Sequence, residues 1–252
     1  MVGLNATPPA IWHDVECASY DADLPLWREL AERAGRGAPI LDVGCGTGRV
    51  ALDLAARGHD VTGIDCEPEL VDALARRARE RGLTVQAHPA DARSFEIPGR
   101  AFGLAIVPMQ VAQLLGGADG RRAMLGCVRR HLAAGAALAI ALADPLEGIP
   151  ADEEPLPPLP DVREEDGWVY SSTPINVRDV EGGATAIDRL RQAVSPDGEL
   201  DESFAVIVLD AVRPEQLEAE AQGVGGYAIR ERRSVPATTD YVGSVVVMLE
   251  AL

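Results

Sequence analysis

The fold of this chain is decided by one short stretch, Leu41-Asp42-Val43-Gly44-Cys45-Gly46-Thr47-Gly48-Arg49. Residues 38–43, which include the first three residues of this stretch, have the apolar pattern of a buried strand. Residues 49–57 follow with apolar side chains at helical spacing. The three glycines between them lack a Cβ, which lets the backbone approach a ligand closely. The stretch therefore predicts a strand, a ligand-contacting turn and a helix; a tight turn without a ligand is the alternative.

The spacing of these glycines indicates the kind of ligand. A dinucleotide-binding turn has glycine at its first, third and sixth positions. Here the glycines occupy the first, third and fifth positions, and Arg49 occupies the sixth. Asp42 precedes the first glycine, and its carboxylate would accept hydrogen bonds from an ammonium group but would repel a pyrophosphate. The turn therefore favours a cationic ligand over a phosphorylated one.

Two further carboxylates follow predicted strands. Asp65 ends the second strand, predicted over residues 60–64, and can accept hydrogen bonds from two ribose hydroxyls. Asp91 follows the third strand, predicted over residues 84–88, and suits the exocyclic amine of adenine. Because ligands of open α/β sheets bind at the carboxyl ends of strands, these groups should lie near one another. The alternatives are a helix cap for Asp65 and a turn role for Asp91.

Strands and helices alternate over residues 38–144, which predicts a parallel sheet with helices on both faces. The last two of these elements are predicted as a helix over residues 121–131 and, after a turn at Ala134-Gly135, a strand over residues 136–143. Residues 145–166 are rich in proline and acidic residues and are predicted to form a loop. Three longer strands and a Ser195–Gly198 hairpin turn follow. The predicted organisation is an N-terminal helical cap, a Rossmann-like core, an antiparallel insert and a C-terminal part of the core, at residues 1–37, 38–144, 145–212 and 213–252.

Composition narrows the partners of this 252-residue chain. Its 23 basic and 40 acidic residues give a net charge of −17, which repels nucleic acid and anionic lipid, so neither is expected as a partner. The four cysteines match neither a zinc ribbon nor a disulfide framework, so we expect free thiols, no metal site and a reducing compartment. No secretory signal is visible, which predicts a cytoplasmic location. We expect a monomer or a homodimer.

The motifs taken together resemble class I SAM-dependent methyltransferases of the small-molecule type. The resemblance rests on residues 41–49, 63–65, 90–92 and 132–135; it covers residues 12–144 clearly and 213–252 by element order only. It implies an α/β fold with a seven-stranded sheet whose last strand, from residues 241–252, runs antiparallel. It also implies S-adenosylmethionine (SAM) as cofactor and a small molecule as methyl acceptor. The insert resembles the antiparallel lid of such enzymes, and residues 20–23 resemble a segment that closes over SAM.

The resemblance also assigns residues to the site. The cofactor contacts that it implies are Tyr20, Asp42, Gly44, Cys45, Gly46, Gly48, Asp65, Cys66, Asp91, Ala92 and Val107. The implied acceptor contacts are Met109, Gln110, Gln113, Trp168 and Tyr170. His13 and Tyr20 are candidates for proton transfer, with packing of an N-terminal helix as their alternative. Trp168 and Tyr170 alternate on one strand face, so core packing is equally open for them.

Three readings of the function stay open. Residues 108–110 lack the Asn-Pro-Pro-Tyr signature, which disfavours methylation of a planar amide or of nucleic-acid amines. A SAM-binding protein that transfers no methyl group would have the same cofactor motifs. A nicotinamide-dependent oxidoreductase would need a Tyr-x-x-x-Lys pair, which this chain lacks. The sequence does not choose among nitrogen, oxygen and carbon as the methylated atom, although nitrogen or oxygen of a metabolite is expected.

Overall fold

The computed structural model describes residues 7–143, 159–180, 182–239 and 241–252. Contacts divide the chain into two compact units. The core unit comprises Asp21–Asp144 and Val212–Leu252, and the insert unit comprises Met1–Tyr20 and Pro145–Ala211. The four domain limits predicted from the sequence stay a prediction.

Helices and strands alternate over the first half of the chain, as its periodicity predicts. The helices are α1 (Pro9–Cys17), α2 (Leu24–Ala34), α3 (Arg49–Ala56), α4 (Pro68–Glu80), α5 (Gly117–His131) and α6 (Pro214–Val224). The strands are β1 (Ile40–Val43), β2 (Val61–Asp65), β3 (Val85–Pro89), β4 (Phe102–Val107), β5 (Leu132–Leu142), β6 (Asp161–Glu165), β7 (Trp168–Val180), β8 (Ala184–Val194), β9 (Leu200–Asp210), β10 (Tyr227–Val235) and β11 (Ser244–Ala251). A short 3-10 helix spans Val111–Leu114.

The core unit contains the predicted seven-stranded sheet, in the order β10-β11-β5-β4-β1-β2-β3. Strands β1 to β5 are parallel, and β11 runs antiparallel to both of its neighbours. The expected antiparallel last strand is thus confirmed. Because β1 lies between β2 and β4, the chain reverses its winding direction at β1. Ligands of open α/β sheets bind at such a point, beyond the carboxyl ends of the strands.

Helices pack against the apolar strands of this sheet. Every residue of β1 is buried, as is the norm for a parallel strand covered by helices. On one face, α5 and α6 are joined by a buried ion pair in which Arg121 contacts Glu220 through two hydrogen bonds of 2.8 Å. The Tyr227 hydroxyl donates to the carbonyl of Leu125 at 2.9 Å, which ties β10 to α5. These contacts join α5, α6 and β10 on that face of the sheet.

The insert unit contains a separate antiparallel sheet in the order β6-β7-β8-β9. Helix α1 belongs to this unit, where the Glu16 carboxylate accepts hydrogen bonds from Ser172 and Arg191 at 2.8 Å. The prediction of a loop over residues 145–166 is wrong for residues 161–165, which form β6. Hydrogen bonding to β7 stabilises this charged segment as a strand, although it lacks an apolar alternation. Residues 144–158 of that predicted loop lie outside the described residues.

Two element limits also differ from the prediction. Strand β5 begins at Leu132 and includes Gly135, which was predicted to lie in a turn before the strand. Pairing with β4 and β11 extends β5 past that turn signal. Helix α5 begins four residues before the predicted start at Arg121, following Gly116 in a left-handed conformation. In the described part of the chain, no helix combines the length and the apolar character needed to cross a membrane.

Candidate functional site

The glycine turn between β1 and α3 requires glycine for its conformation and for its packing. Gly44, Gly46 and Gly48 have φ values of +71°, +52° and +97°, a region that residues with a Cβ rarely adopt. A Cβ on Gly44 would stand 2.5 Å from a methyl group of Val111. A Cβ on Gly48 would overlap the side chain of Leu74. The turn therefore has a fixed shape at the carboxyl end of β1, where Gly44 is partly exposed and Gly46 and Gly48 are buried.

Asp65, at the end of β2, joins this turn to the start of α4. One carboxylate oxygen accepts the Gly46 N–H at 2.9 Å, and the other accepts the Glu67 N–H at 3.0 Å. Asp65 is not the cap of α4, because Glu67 occupies the residue before the helix. The carboxylate therefore lies beside the glycine turn, as the ligand-binding interpretation requires. Each oxygen keeps further lone pairs for a ligand hydroxyl.

Asp42 is the most unusual group of the site. Its side chain is 1% exposed, and neither carboxylate oxygen has a hydrogen-bond partner among the described residues. Burial raises the pKa of Asp42 to about 7, and the carboxylates of Asp65 and Asp23 raise it further. The charge of Arg49 lowers it, as does, to a smaller extent, the backbone N–H of Ala51, which lies near the carboxylate but outside hydrogen-bonding geometry. A buried carboxylate without a donor is costly to the folded protein. Such a group fits a ligand that brings its own cation or donor.

Arg49 and Asp23 form a buried ion pair that the sequence analysis missed. The guanidinium donates to both carboxylate oxygens of Asp23, at 2.5 and 2.8 Å. Asp23 precedes α2, and its side chain is 3% exposed. The pair anchors the start of α2 to the first residue of α3. The two residues are 26 positions apart, so no local spacing in the sequence reveals it.

Asp91 lies two residues beyond β3, and a neighbouring arginine already contacts it. Its carboxylate accepts the backbone N–H of Arg93 at 2.8 Å and one guanidinium nitrogen of Arg93 at 2.6 Å. These hydrogen bonds hold the pKa of Asp91 below its usual value. The turn role left open by the sequence is thus present. The adenine contact of Asp91 and of Ala92 stays a prediction.

The remaining predicted residues of the core unit differ in burial and in backbone conformation. Val107 is buried at the end of β4, and Cys45 is buried within the glycine turn, whereas Cys66 is exposed. Burial raises the pKa of both thiols. Met109 has a φ of +54°, an uncommon left-handed conformation for a residue with a side chain. Strained backbone of this kind often occurs at functional sites.

Gln113 and Gln110 differ in how the fold uses them. The Gln113 amide donates to the Ala143 carbonyl at 2.9 Å and accepts the Ala143 N–H at 3.0 Å. Gln113 thus connects the 3-10 helix to the end of β5 through two hydrogen bonds. This is a structural role in addition to its predicted contact with the acceptor. Gln110 is half-buried, directly before the 3-10 helix. The acceptor contacts of both residues stay predictions.

Four predicted residues belong to the insert unit. His13 is on α1, and Tyr20 is buried shortly after that helix. Trp168 stacks on Tyr170 with ring centres 6.1 Å apart, and Tyr170 meets Trp12 edge-on at 5.8 Å. The core-packing alternative for Trp168 and Tyr170 is therefore present. The structure brings together the residues at the ends of β1, β2 and β3, and it places these four in the other unit.

Comparisons with known proteins agree with this architecture. Residues 40–135 match the family model described as a methyltransferase domain. The demethylmenaquinone methyltransferase of Thermus thermophilus is 36% identical over 126 residues, which cover 48% of this chain and 56% of that protein. The chain thus matches little more than half the length of that curated relative.

Two solved structures share the fold over nearly the whole chain. The sugar N-methyltransferase KedS8 from Streptoalloteichus has a TM-score of 0.73 at 20% identity, with 96% of this chain and 92% of that chain covered. The SAM-bound amino pentose methyltransferase CalS10 from Micromonospora echinaspora has a TM-score of 0.67 at 22% identity, with 94% of both chains covered. The family match and these folds confirm the resemblance to class I SAM-dependent methyltransferases.

Proposed function

We propose that this chain binds SAM at the carboxyl ends of β1 and β2 and transfers its methyl group to a small-molecule acceptor. One observation carries the proposal: Asp42 is a buried carboxylate without a hydrogen-bond partner among the described residues, and it directly precedes the glycine turn. The amino-acid portion of SAM carries an ammonium group that would supply the missing donors and the opposite charge. The match of residues 40–135 to a methyltransferase domain supports the same assignment.

The other residues of the site contact different portions of SAM. The turn at Gly44, Gly46 and Gly48 presents backbone that lies against the methionine portion of SAM. Asp65 accepts hydrogen bonds from the ribose hydroxyls while it holds the Gly46 N–H, and Cys66 lies beside it. Asp91 and Ala92 lie towards the adenine. The Asp91 carboxylate accepts a hydrogen bond from the exocyclic amine of adenine, either in addition to that from the Arg93 guanidinium or in place of it. CalS10, which shares the fold, is SAM-bound.

The chain contributes to the reaction mainly by orientation. SAM, when bound, supplies a methyl group made electrophilic by the adjacent sulfonium. The rigid glycine turn and Asp65 hold the cofactor so that this group faces one direction. Holding two reactants in line can lower a barrier by about 7–11 kcal/mol. A general base is needed only for an acceptor that must lose its proton early, and the assignment of that role to His13 or Tyr20 stays a prediction.

The acceptor is a metabolite-sized molecule methylated at nitrogen or oxygen. KedS8 is a sugar N-methyltransferase and CalS10 an amino pentose methyltransferase, which gives amines on small polar molecules some support. Met109, which follows β4 in a left-handed conformation, is our first candidate for an acceptor contact in the core unit. Gln110, next to it, is the second.

Calorimetric titration with SAM, S-adenosylhomocysteine and NADH tests the proposal. We expect both adenosyl ligands to bind, and Asp65→Ala to weaken them at least about tenfold, the loss expected for hydrogen bonds to a charged group. Asp72→Asn is the control, because it removes an exposed carboxylate from the middle of α4. Circular dichroism shows whether each variant is folded.

Three outcomes separate the readings. Binding followed by release of S-adenosylhomocysteine, in a screen of amino sugars and hydroxylated metabolites, supports methyl transfer. Binding without turnover on any acceptor favours a SAM-binding protein that transfers no methyl group. If folded protein binds neither adenosyl ligand, the proposal fails, and NADH binding would then favour the oxidoreductase.

A further inference from the structure

Strand β9 forms one edge of the insert sheet. It pairs with β8 along its whole length, without a register shift, and the described residues place no strand on its other side. An edge strand presents a row of backbone N–H and C=O groups that can pair with another strand. Proteins usually protect such edges with charged side chains, proline or a bulge. Strand β9 has no proline, no lysine and no bulge, and residues 203–209 in its middle carry no charge.

The same strand carries an exposed apolar stripe. Leu200, Phe204, Val206 and Val208 alternate along one face and are 47–75% exposed, with Phe204 the most exposed. They are four of the twelve large hydrophobic side chains that are exposed in the described part of the chain. Exposed apolar side chains concentrated on the uncharged middle of an edge strand mark a surface that binds another strand.

We propose that two copies of this chain form a dimer in which their β9 strands pair antiparallel about a two-fold axis at Ala205. The two four-stranded sheets then continue into one sheet of eight strands. In this register Phe204 lies opposite the partner's Val206, and the same contact recurs on the other side of the axis. Pairs of an aromatic and a β-branched residue across two strands are among the favourable ones.

The charges of β9 favour this register. The acidic residues lie near the two ends of the strand: Asp201, Glu202 and Asp210. Pairing about Ala205 sets Glu202 opposite the partner's Val208 and Asp210 opposite the partner's Leu200. Moving the axis to Val206 would set Glu202 opposite the partner's Asp210, which is unfavourable. Because a two-fold axis brings the same strand from both copies together, β9 must avoid placing its acidic residues opposite one another, and the register about Ala205 does so.

The main alternative occupant is the chain's own segment at residues 144–158. That segment contains five prolines and five acidic residues. Proline cannot donate a backbone hydrogen bond, and acidic side chains would meet Asp201 and Glu202. The segment is therefore a poor partner strand for β9. A second copy of β9 supplies a donor at every position, since the strand contains no proline.

Sedimentation equilibrium over a range of protein concentrations tests the dimer. We expect the wild type to dimerise, and more tightly at higher salt, because each copy carries a net charge of −17. Phe204→Lys sets a cation at the centre of the interface and should raise the dimer dissociation constant about a hundredfold. Val162→Lys is the matched control: Val162 is exposed on the same face of the sheet, but on β6 at the opposite edge.

The proposal is overturned if the wild type is monomeric at every concentration, if Phe204→Lys leaves the dimer intact, or if Val162→Lys dissociates it equally. Hydrogen exchange of the wild type covers the case in which a variant does not fold. Protection of β9 amides should rise with protein concentration, because dimerisation pairs them. Protection that is the same at all concentrations would refute the dimer, and if it is also high, it would assign the edge to a segment of the same chain.

Discussion

The partnerless carboxylate of Asp42 makes SAM binding depend on pH in a direction that can be worked out. Burial raises the pKa of Asp42 to about 7, so below that pH the group is mostly protonated when no ligand is bound. A ligand ammonium beside it favours the charged form and lowers its pKa. Binding at acidic pH therefore requires release of a proton from Asp42, and the affinity for SAM must fall as the pH falls.

The magnitude follows from the pKa. At pH values below the pKa of Asp42, each further unit of pH weakens SAM binding by about 1.4 kcal/mol, a factor of about ten in affinity. Between pH 7.5 and pH 5 the SAM dissociation constant should therefore rise about eightyfold. Because a ligand α-amino group titrates near pH 8, the range is kept below that value.

Isothermal titration at half-unit pH steps measures this slope. Repeating the pH 6 titration in buffers of different ionisation enthalpy counts the protons released, which should be close to one per site. Asp42→Asn is the matched variant, since it keeps the shape of the side chain but cannot titrate. It should bind SAM more weakly at pH 7.5 and lose the pH dependence.

A wild-type affinity that is constant from pH 7.5 to pH 5 would refute the contact between Asp42 and the ammonium. The same conclusion follows if Asp42→Asn keeps the full slope. Either result is distinct from failure of the proposed function, in which SAM does not bind at any pH.

Three further predictions concern stability. In the ligand-free protein the raised pKa of Asp42 favours the protonated form, so its contribution to stability is complete below its unfolded pKa of 3.8 and is lost as the pH rises through about 7. Asp42→Asn should therefore be more stable than the wild type at pH 8 by up to about 4 kcal/mol, with little difference at pH 4; thermal unfolding at the two pH values measures it. Gly44→Ala should lower the free energy of unfolding in urea by about 1–3 kcal/mol more than Gly58→Ala, because both have positive φ but only Gly44 has atoms close to the new Cβ. Glu220→Gln should cost about 3–5 kcal/mol because it leaves the buried Arg121 charge without its counter-charge, whereas replacing both residues by leucine and methionine should cost much less in the same assay.

The sequence by itself determined most of the core unit. Alternating apolar runs and helical stripes predict β1 to β5 and the helices between them, because burial on a sheet or on one helix face imposes periods that are read locally. The glycine turn was equally readable, since positive φ at Gly44 and Gly48 needs a residue without a Cβ. The resemblance to methyltransferases added the antiparallel β11, which no local pattern specifies.

Only the tertiary structure decided how the polar groups of the site are partnered. Arg49 pairs with Asp23 from 26 positions away, Gln113 fastens the end of β5, and Asp42 is left without a partner among the described residues. Strand β6 likewise forms through pairing with β7, against its own charged composition. Periodicity records whether a side chain is buried, whereas a hydrogen bond or an ion pair depends on which distant segments the folded chain brings within about 3 Å of one another. The ligand-binding role of Asp42 was predicted from its position in the chain, but its missing partner and its raised pKa arise from the packing around it.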